Sequence, residues 1–288
     1  METDYFHELI SEALVFLKQR KVETSNFEVS LLLADILGIE PSEVRRCRTP
    51  LSEEQKKLFK EMLEKRAKRW PVDKIIEHKG FYKYEFEVST DVLSPRADTE
   101  ILVEKALDYL KMSEAPKILE FGIGSGCVLL SLLADRPDAF GYGIDASEKA
   151  LTVALKNAKN LGVSSRCRLF CCSWFDEEFL QKNHSLHEMD MIVSNPPYIP
   201  TGEIEGLEEE VKKFDPLIAL DGGEDGLRDY RQIFKLAAVL LKKEGHILVE
   251  IGENQEEDVI RLAKENHMIF VETAKDLAQI NRCIIFKK

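Results

Sequence analysis

From residue 118 onwards the chain alternates between short apolar runs and longer amphipathic stretches. The runs lie at 118–121, 142–145, 167–171, 189–194, 246–251, 268–271 and 283–286. Runs this short, rich in Ile, Val, Leu and Phe and closed by Gly, Ser or Asp, are the pattern of strands buried on both faces. The stretches between most of them carry apolar residues at helical spacing. A strand–helix–strand alternation of this kind predicts an α/β fold built on a doubly wound, mostly parallel sheet with helices on both faces. Such a sheet binds ligands beyond the carboxyl ends of its strands, so the search for chemistry narrows to the loops that follow the runs.

The front of the chain has a different texture. Phe6, Leu9, Ile10, Ala13, Leu14 and Leu17 recur at three- and four-residue steps, one apolar stripe of a helix. Ser25 with Glu28 and Ser52 with Gln55 have capping-box spacing ahead of two further helices. Gly38 ends the first of these, and Pro71 closes the second region. Residues 1–73 therefore read as a small helical bundle without catalytic groups, suited to recognising a partner. Residues 74–93, with Phe81, Tyr82, Tyr84, Phe86 and Val88, read as a linker with a β-hairpin. Residues 94–288 read as the α/β domain.

Two features at strand ends point to a nucleoside. The first run passes directly into Gly122, Ile123, Gly124, Ser125 and Gly126. Glycines at a strand-to-helix turn let the backbone bend sharply and approach a ligand without an intervening Cβ. The G-x-G-x-G spacing is not the dinucleotide fingerprint, whose third glycine would stand at Cys127, and the lysine of a triphosphate loop is missing. Asp145 ends the second run, about twenty residues beyond the glycines, where a carboxylate can accept hydrogen bonds from both hydroxyls of a ribose. An adenosine-type ligand satisfies both.

The fourth run ends in Ser194, Asn195, Pro196, Pro197 and Tyr198. An amide nitrogen is a poor nucleophile because its lone pair is delocalised into the carbonyl. The Asn195 side-chain oxygen and the Pro196 carbonyl can each accept one N–H of an NH2 group. The prolines stiffen the turn, and the Tyr198 ring can lie against a flat target. This arrangement suits methylation of a planar, sp2-bonded nitrogen.

Composition removes other classes. The net charge of −12 argues against a protein that holds nucleic acid stably by counterion release. The six cysteines form no C-x-x-C pair, and His184 and His187 have no third ligand nearby, so no metal site is expected. The Asp221 to Gly226 stretch fails the calcium-loop template because Gln232 stands where a bidentate Glu is needed. The acidic run 203–210 reads as a solvated face, or else as a surface for a basic partner. No apolar run approaches the ~18 residues of a membrane span and no leader opens the chain, so a cytoplasmic protein without membrane contact is expected.

These motifs, and others along the whole chain, resemble those of the HemK-type release-factor glutamine methyltransferases. The similar stretches include Leu93-Ser94-Pro95-Arg96, Phe214-Asp215-Pro216, Asp221-Gly222-Gly223, Asp225-Gly226-Leu227, Val249-Glu250-Ile251-Gly252 with Gln255, and Asp276 with Arg282. The Asn-Pro-Pro-Tyr box alone is shared with amino-methylating enzymes of DNA and RNA; the Pro-Arg and Asp-Gly-Gly segments narrow the likeness. The resemblance implies a class I methyltransferase domain, S-adenosyl-L-methionine as cofactor, and transfer of its methyl to the glutamine amide nitrogen of the Gly-Gly-Gln tripeptide in class 1 peptide chain release factors. It implies that Gly122, Ile123, Gly124, Ser125 and Gly126 line the cofactor together with Asn195. Asp145 would hold the ribose and Trp174 would pack near the adenine. Asn195, Pro196, Pro197 and Tyr198 would hold the substrate glutamine, with Asn195, Pro196 and Tyr198 as the catalytic set. The helical front would grip the release factor, and a monomer is expected. Three positions depart from the family pattern: Glu120 for Asp, Ile123 for Thr, and Ser173 where an Asp often precedes the Trp. Near Lys74 and Glu77 the linker also departs from the usual Tyr and Gly. The competing readings are an amino-methyltransferase acting on adenine or guanine in nucleic acid, and a non-catalytic adaptor that keeps the fold for binding.

Overall fold

A computed structural model describes residues 5–288, apart from the side chains at positions 179 and 181; the first four residues of the expected bundle lie outside it. The chain forms two compact units, and the first does not end where its sequence texture does. It runs to His78 and also takes in Glu208–Phe214.

The helical unit contains Tyr5–Gln19, Asn26–Leu37, Glu53–Ala67 and the short Val72–Ile76, with a 3-10 turn at Pro41–Arg46. Both capping boxes form. Ser25 Oγ accepts the Glu28 N–H at 3.1 Å while Glu28 Oε2 accepts the Ser25 N–H at 2.7 Å. Ser52 and Gln55 repeat the exchange at 3.2 and 2.9 Å. Phe6, Ile10, Ala13 and Leu17 from the first stripe bury against Val29, Leu32, Leu33, Phe59 and Met62. Glu77 turns the chain at φ 63. A side chain there costs about 1–2 kcal/mol that a glycine would avoid, which gives the departure at this position its physical meaning.

The downstream segment gives the acidic run a partner within the chain. Arg66, only 3% exposed, donates to Glu210 at 2.7 Å and to the Glu23 carbonyl at 2.9 Å. Arg69 lies 3.2 Å from Glu209, and Trp70 packs on Phe214 at 4.7 Å between ring centroids. Glu209 keeps the exposure of a solvated face while it pairs with Arg69, whereas Glu210, with 24% of its side chain exposed, is taken up by Arg66.

The second unit begins at Lys79, within β1 (His78–Phe81), which forms a hairpin with β2 (Tyr84–Glu87). Its sheet contains β3 (Lys117–Phe121), β4 (Phe140–Asp145), β5 (Cys167–Cys171), β6 (Met189–Ser194), β7 (Leu241–Glu250), β8 (Ile269–Lys275) and β9 (Asn281–Lys287) in the order β5-β4-β3-β6-β7-β9-β8. The strands from β5 to β7 are parallel, and β9 inserts antiparallel between β7 and β8. This is the class I methyltransferase arrangement. β7 begins five residues before the apolar run that signals it, because Leu241 already pairs with Met189 ahead of a register irregularity. One apolar core lies on each face of the sheet. Strand order reverses at β3, and Phe121 stands level with Ile144 of β4 and Ser194 of β6. The loops after β3, β4 and β6 therefore leave the sheet side by side at the switch point, where a crevice opens.

Candidate active site

The loop after β3 is built from glycines in the left-handed region. Gly122, Gly124 and Gly126 have φ of 75, 53 and 85°. The N–H groups of Gly122 and Ile123 both donate to the Ile144 carbonyl, at 2.9 and 3.0 Å, which docks the loop on β4. A Cβ added at Gly124 would meet nothing within 4 Å, so it would project into open space. One added at Gly126 would stand 2.5 Å from Leu130 Cδ1. The first glycine thus keeps a cleft clear, and the second lets the helix Cys127–Asp135 begin tight against the turn.

Asp145 fastens this loop to the next. One carboxylate oxygen accepts the Gly124 N–H and the other the Ser147 N–H, both at 2.9 Å. Each oxygen keeps a second lone pair for a ribose hydroxyl. Burial pushes the Asp145 carboxyl up from its ordinary value, and the backbone N–H groups of Ser147 and Gly124 oppose that. Glu120 is 2% exposed, with Oε2 accepting the Leu129 N–H at 3.0 Å. Burial raises it well above the usual carboxylate range. A cationic ligand beside it would favour its ionised form.

The departures at Ile123 and Ser173 have local accounts. Ile123 is 2% exposed and packs over Gly143, where any Cβ would collide with it. An apolar side chain suits that place. Ser173 accepts the Phe175 N–H at 3.2 Å and does not line the cleft. Trp174 carries the burden on that side. It is 8% exposed, meets Phe121 edge-on at 6.5 Å, and donates from Nε1 to Asp229 at 2.9 Å. Its ring backs Gly122, where an added Cβ would stand 3.5 Å from Cζ3.

After β6, Ser194 Oγ donates to the Phe121 carbonyl at 2.8 Å and ties the two strand ends together. Asn195 Nδ2 donates to Thr99 Oγ1 at 3.2 Å. The turn is then braced from behind. Gln255 donates to the Tyr198 carbonyl at 2.9 Å while its own oxygen accepts the Gly252 N–H at 2.9 Å. Ile199 bridges to Asp221, and a Cβ on Gly222 would lie 2.8 Å from the Pro197 carbonyl. The Asp-Gly-Gly stretch is a brace for this turn.

Eight of the residues singled out by sequence line one cleft: Gly122, Ile123, Gly124, Ser125, Asp145, Trp174, Asn195 and Pro197. Gly126, Pro196 and Tyr198 are not among its lining residues. Tyr198 is half-buried beside Gly252, and burial raises its phenol. Its ring therefore stands behind the turn rather than over the cleft. The structure adds Thr99, Glu120 and Arg96 to the lining. Arg96 pairs with Asp215 at 3.0 Å. Both lie in resembling stretches, which was the available signal for them.

Residues 8–76 match the PrmC N-terminal domain, and residues 113–282 match a methyltransferase domain. The release factor glutamine methyltransferase of Rhodospirillum rubrum is 39% identical over 276 residues, covering 94% of this chain and 82% of that protein. The Caulobacter vibrioides protein of the same name is 39% identical, covering 93% of this chain and 91% of its own. That of Fusobacterium nucleatum is 34% identical over 98% of this chain and 78% of its own.

The chain belongs to the release factor glutamine methyltransferase family. As a member of that family it is an S-adenosylmethionine-dependent methyltransferase. The cleft suits the cofactor: the glycine loop leaves open space at Gly124, Asp145 has acceptors to spare, and Trp174 forms a wall. Among the described residues no helix is long and apolar enough to cross a membrane, and no cluster of three metal-ligating side chains occurs.

Proposed function

We propose that this release factor glutamine methyltransferase methylates the side-chain amide nitrogen of the glutamine in the Gly-Gly-Gln tripeptide of class 1 peptide chain release factors. The observation that carries the reading is Asn195. Its NH2 group is held by Thr99, which leaves the side-chain oxygen as the acceptor offered to the cleft that also contains the glycine loop and Asp145.

S-adenosylmethionine supplies an electrophilic methyl on a sulfonium. The chain's task is to make a reluctant amide nitrogen present its electrons. Asn195 Oδ1 and the Pro196 carbonyl accept the two N–H bonds of the glutamine amide and fix its plane. As the C–N bond forms the S–C bond breaks and the thioether leaves neutral; the nitrogen's positive charge makes its N–H groups strongly acidic, the same two acceptors hold the developing charge, and one proton then passes by way of the Pro196 carbonyl or water to solvent. The braces from Gln255, Gly222 and Thr99 keep them aimed. With the cofactor bound, Asp145 would hold its ribose, Trp174 would pack near the adenine, and Glu120 would lie towards its cationic end. The helical unit grips the release factor.

Removal of a preorganised group of this kind costs about 10²–10³ in turnover. Asn195→Ala should therefore lose at least that much methyl transfer while binding S-adenosylmethionine within a few-fold of wild type by calorimetry. Mass spectrometry of the release-factor glutamine, with DNA and RNA as parallel acceptors, tests the substrate. A methyl on a nucleobase amino group, with the glutamine unmodified, would overturn the proposal.

A further inference from the structure

A second cavity lies at the opposite end of the sheet from the cleft, where β3, β4 and β5 begin. Its lining includes Lys117, Phe140, Tyr142, Ser165, Arg166 and Arg168, and none of its lining residues is acidic. β4 supplies the two rings. Phe140 and Tyr142 are two residues apart in one strand and so share a face of the sheet. The apolar core on that face reaches Tyr142, which is half-buried against it, but leaves Phe140 47% exposed. Each ring has a cation level with it in the adjoining strand: Lys117 of β3 beside Phe140, and Arg168 of β5 beside Tyr142. The two outer strands are about 10 Å apart, which leaves room for one flat ring system between the cations.

The polar groups of this cavity divide into two kinds. Arg166 is occupied, donating to the carbonyls of Arg136, Ala139 and Leu133 at 3.1, 2.9 and 2.7 Å. Asp190, the β6 neighbour of Lys117, accepts the Lys117 N–H at 2.8 Å and pairs with Lys242. Among the described residues, however, the Lys117 ammonium and the Arg168 guanidinium meet no carboxylate, and the Tyr142 and Ser165 hydroxyls make no hydrogen bond. Three cations therefore gather round two rings on a chain whose net charge is −12. A ligand that answers both features has a flat face to stack and a negative charge for Arg and Lys to bind.

We propose that this cavity binds a free nucleoside monophosphate, with its base on the Phe140 and Tyr142 rings and its phosphate held by the cations that flank them. Ser165 and Tyr142 offer hydroxyls to the ribose. The charge of the whole chain favours a free nucleotide over RNA: a polyanion running past the site meets a net −12 surface, whereas one phosphate meets the local cations. The site is separate from the cofactor cleft and does not depend on the methyl-transfer reading.

The test is calorimetry on the full chain with the cofactor cleft saturated by S-adenosylhomocysteine. Guanosine 5′-monophosphate is the probe; guanosine, inorganic phosphate and a short single-stranded RNA are separate arms. The nucleotide should bind saturably, about fivefold or more tighter than guanosine or phosphate alone. Phe140→Ser removes a stacking surface and should weaken binding about fivefold or more. Arg168→Gln should weaken it by a similar factor and flatten its salt dependence. Neither residue lines the cofactor cleft, so both variants should methylate release factor as wild type does. Thermal melts establish that each is folded, and if one is not, the other carries the comparison. Absence of saturable binding at millimolar nucleotide would overturn the proposal. So would phosphate or guanosine binding as tightly as the nucleotide, or unchanged affinity in a folded variant. RNA binding about tenfold tighter than the nucleotide through the same residues would overturn it too, by making the occupant a nucleic acid.

Discussion

Replacing Glu250 by Gln should stabilise the protein, and the gain should grow with pH. The ordinary carboxyl value is 4.5, and burial in this fold raises it to about 7. A carboxyl whose folded value is raised favours folding while it stays protonated, and that advantage disappears as pH rises through the folded value. Each tenfold change in an ionisation equilibrium is worth about 1.4 kcal/mol. At pH 8 the folded protein therefore carries an ionised, buried Glu250 at a cost of about 3 kcal/mol; at pH 5 the cost is below about 1 kcal/mol. Glutamine has nearly the same shape and never ionises. Its own desolvation is a constant offset, so the informative quantity is how the difference between variant and wild type changes with pH. That difference should grow by about 2–3 kcal/mol from pH 5 to pH 8, or roughly 5–10 °C in melting temperature for a domain of this size. Scanning calorimetry of both proteins at half-unit pH steps reads it directly, because all other titrating groups cancel in the comparison. A melting difference that stays flat across this range, or that moves against the variant at high pH, would show that Glu250 does not ionise in a desolvated site.

Further outcomes follow from single contacts. Asp229→Ala should leave the Trp174 indole N–H buried without its 2.9 Å partner, costing about 1–3 kcal/mol and weakening cofactor binding; denaturant melts and tryptophan fluorescence during cofactor titration check both. Arg66→Ala should remove a 3% exposed guanidinium from Glu28 and Glu210, costing about 3 kcal/mol, near the low end for a broken buried pair because both glutamates keep some water; hydrogen exchange should then rise across 208–214. Gly226→Ala forces a side chain into φ 71 and against the Tyr198 carbonyl, so it should lower kcat more than cofactor affinity, as steady-state kinetics beside calorimetry would show.

The parts of this molecule that could be read from sequence are those whose partners lie nearby in the chain. The capping boxes at Ser25 and Ser52 act over three residues. The glycine loop and Asp145 are joined over 21 residues within one β-α-β unit, whose geometry is stereotyped. The support around the site is different. Thr99 meets Asn195 across 96 residues, Arg96 meets Asp215 across 119, Trp174 meets Asp229 across 55, and Arg66 meets Glu210 across 144. No periodicity encodes such pairs, because they exist only once the sheet order is set. The same limit explains Tyr198. The Asn-Pro-Pro-Tyr box suggests a ring over the substrate, yet Tyr198 is not among the residues lining the cleft and its phenol is raised by burial. It also explains the acidic run: Glu210 looks solvated until Arg66 is placed beside it.

The stretches that single out this family largely serve one purpose, the stiffness of the turn at 195–198. Gly222 and Gly226 lack side chains where the backbones of Pro197 and Tyr198 pass. Gln255 spans from Gly252 to the Tyr198 carbonyl. Thr99 accepts the Asn195 Nδ2–H and holds that side chain. An amide nitrogen has little intrinsic reactivity, so the rate depends on how narrowly its two hydrogens are aimed. A displacement of about 1 Å at such a site costs about a hundredfold. The acceptors proposed here amount to one side-chain oxygen and one carbonyl, which many strand-end turns could offer. What such turns lack is the surrounding shell of close backbone approaches and one-way hydrogen bonds that prevents those two oxygens from moving.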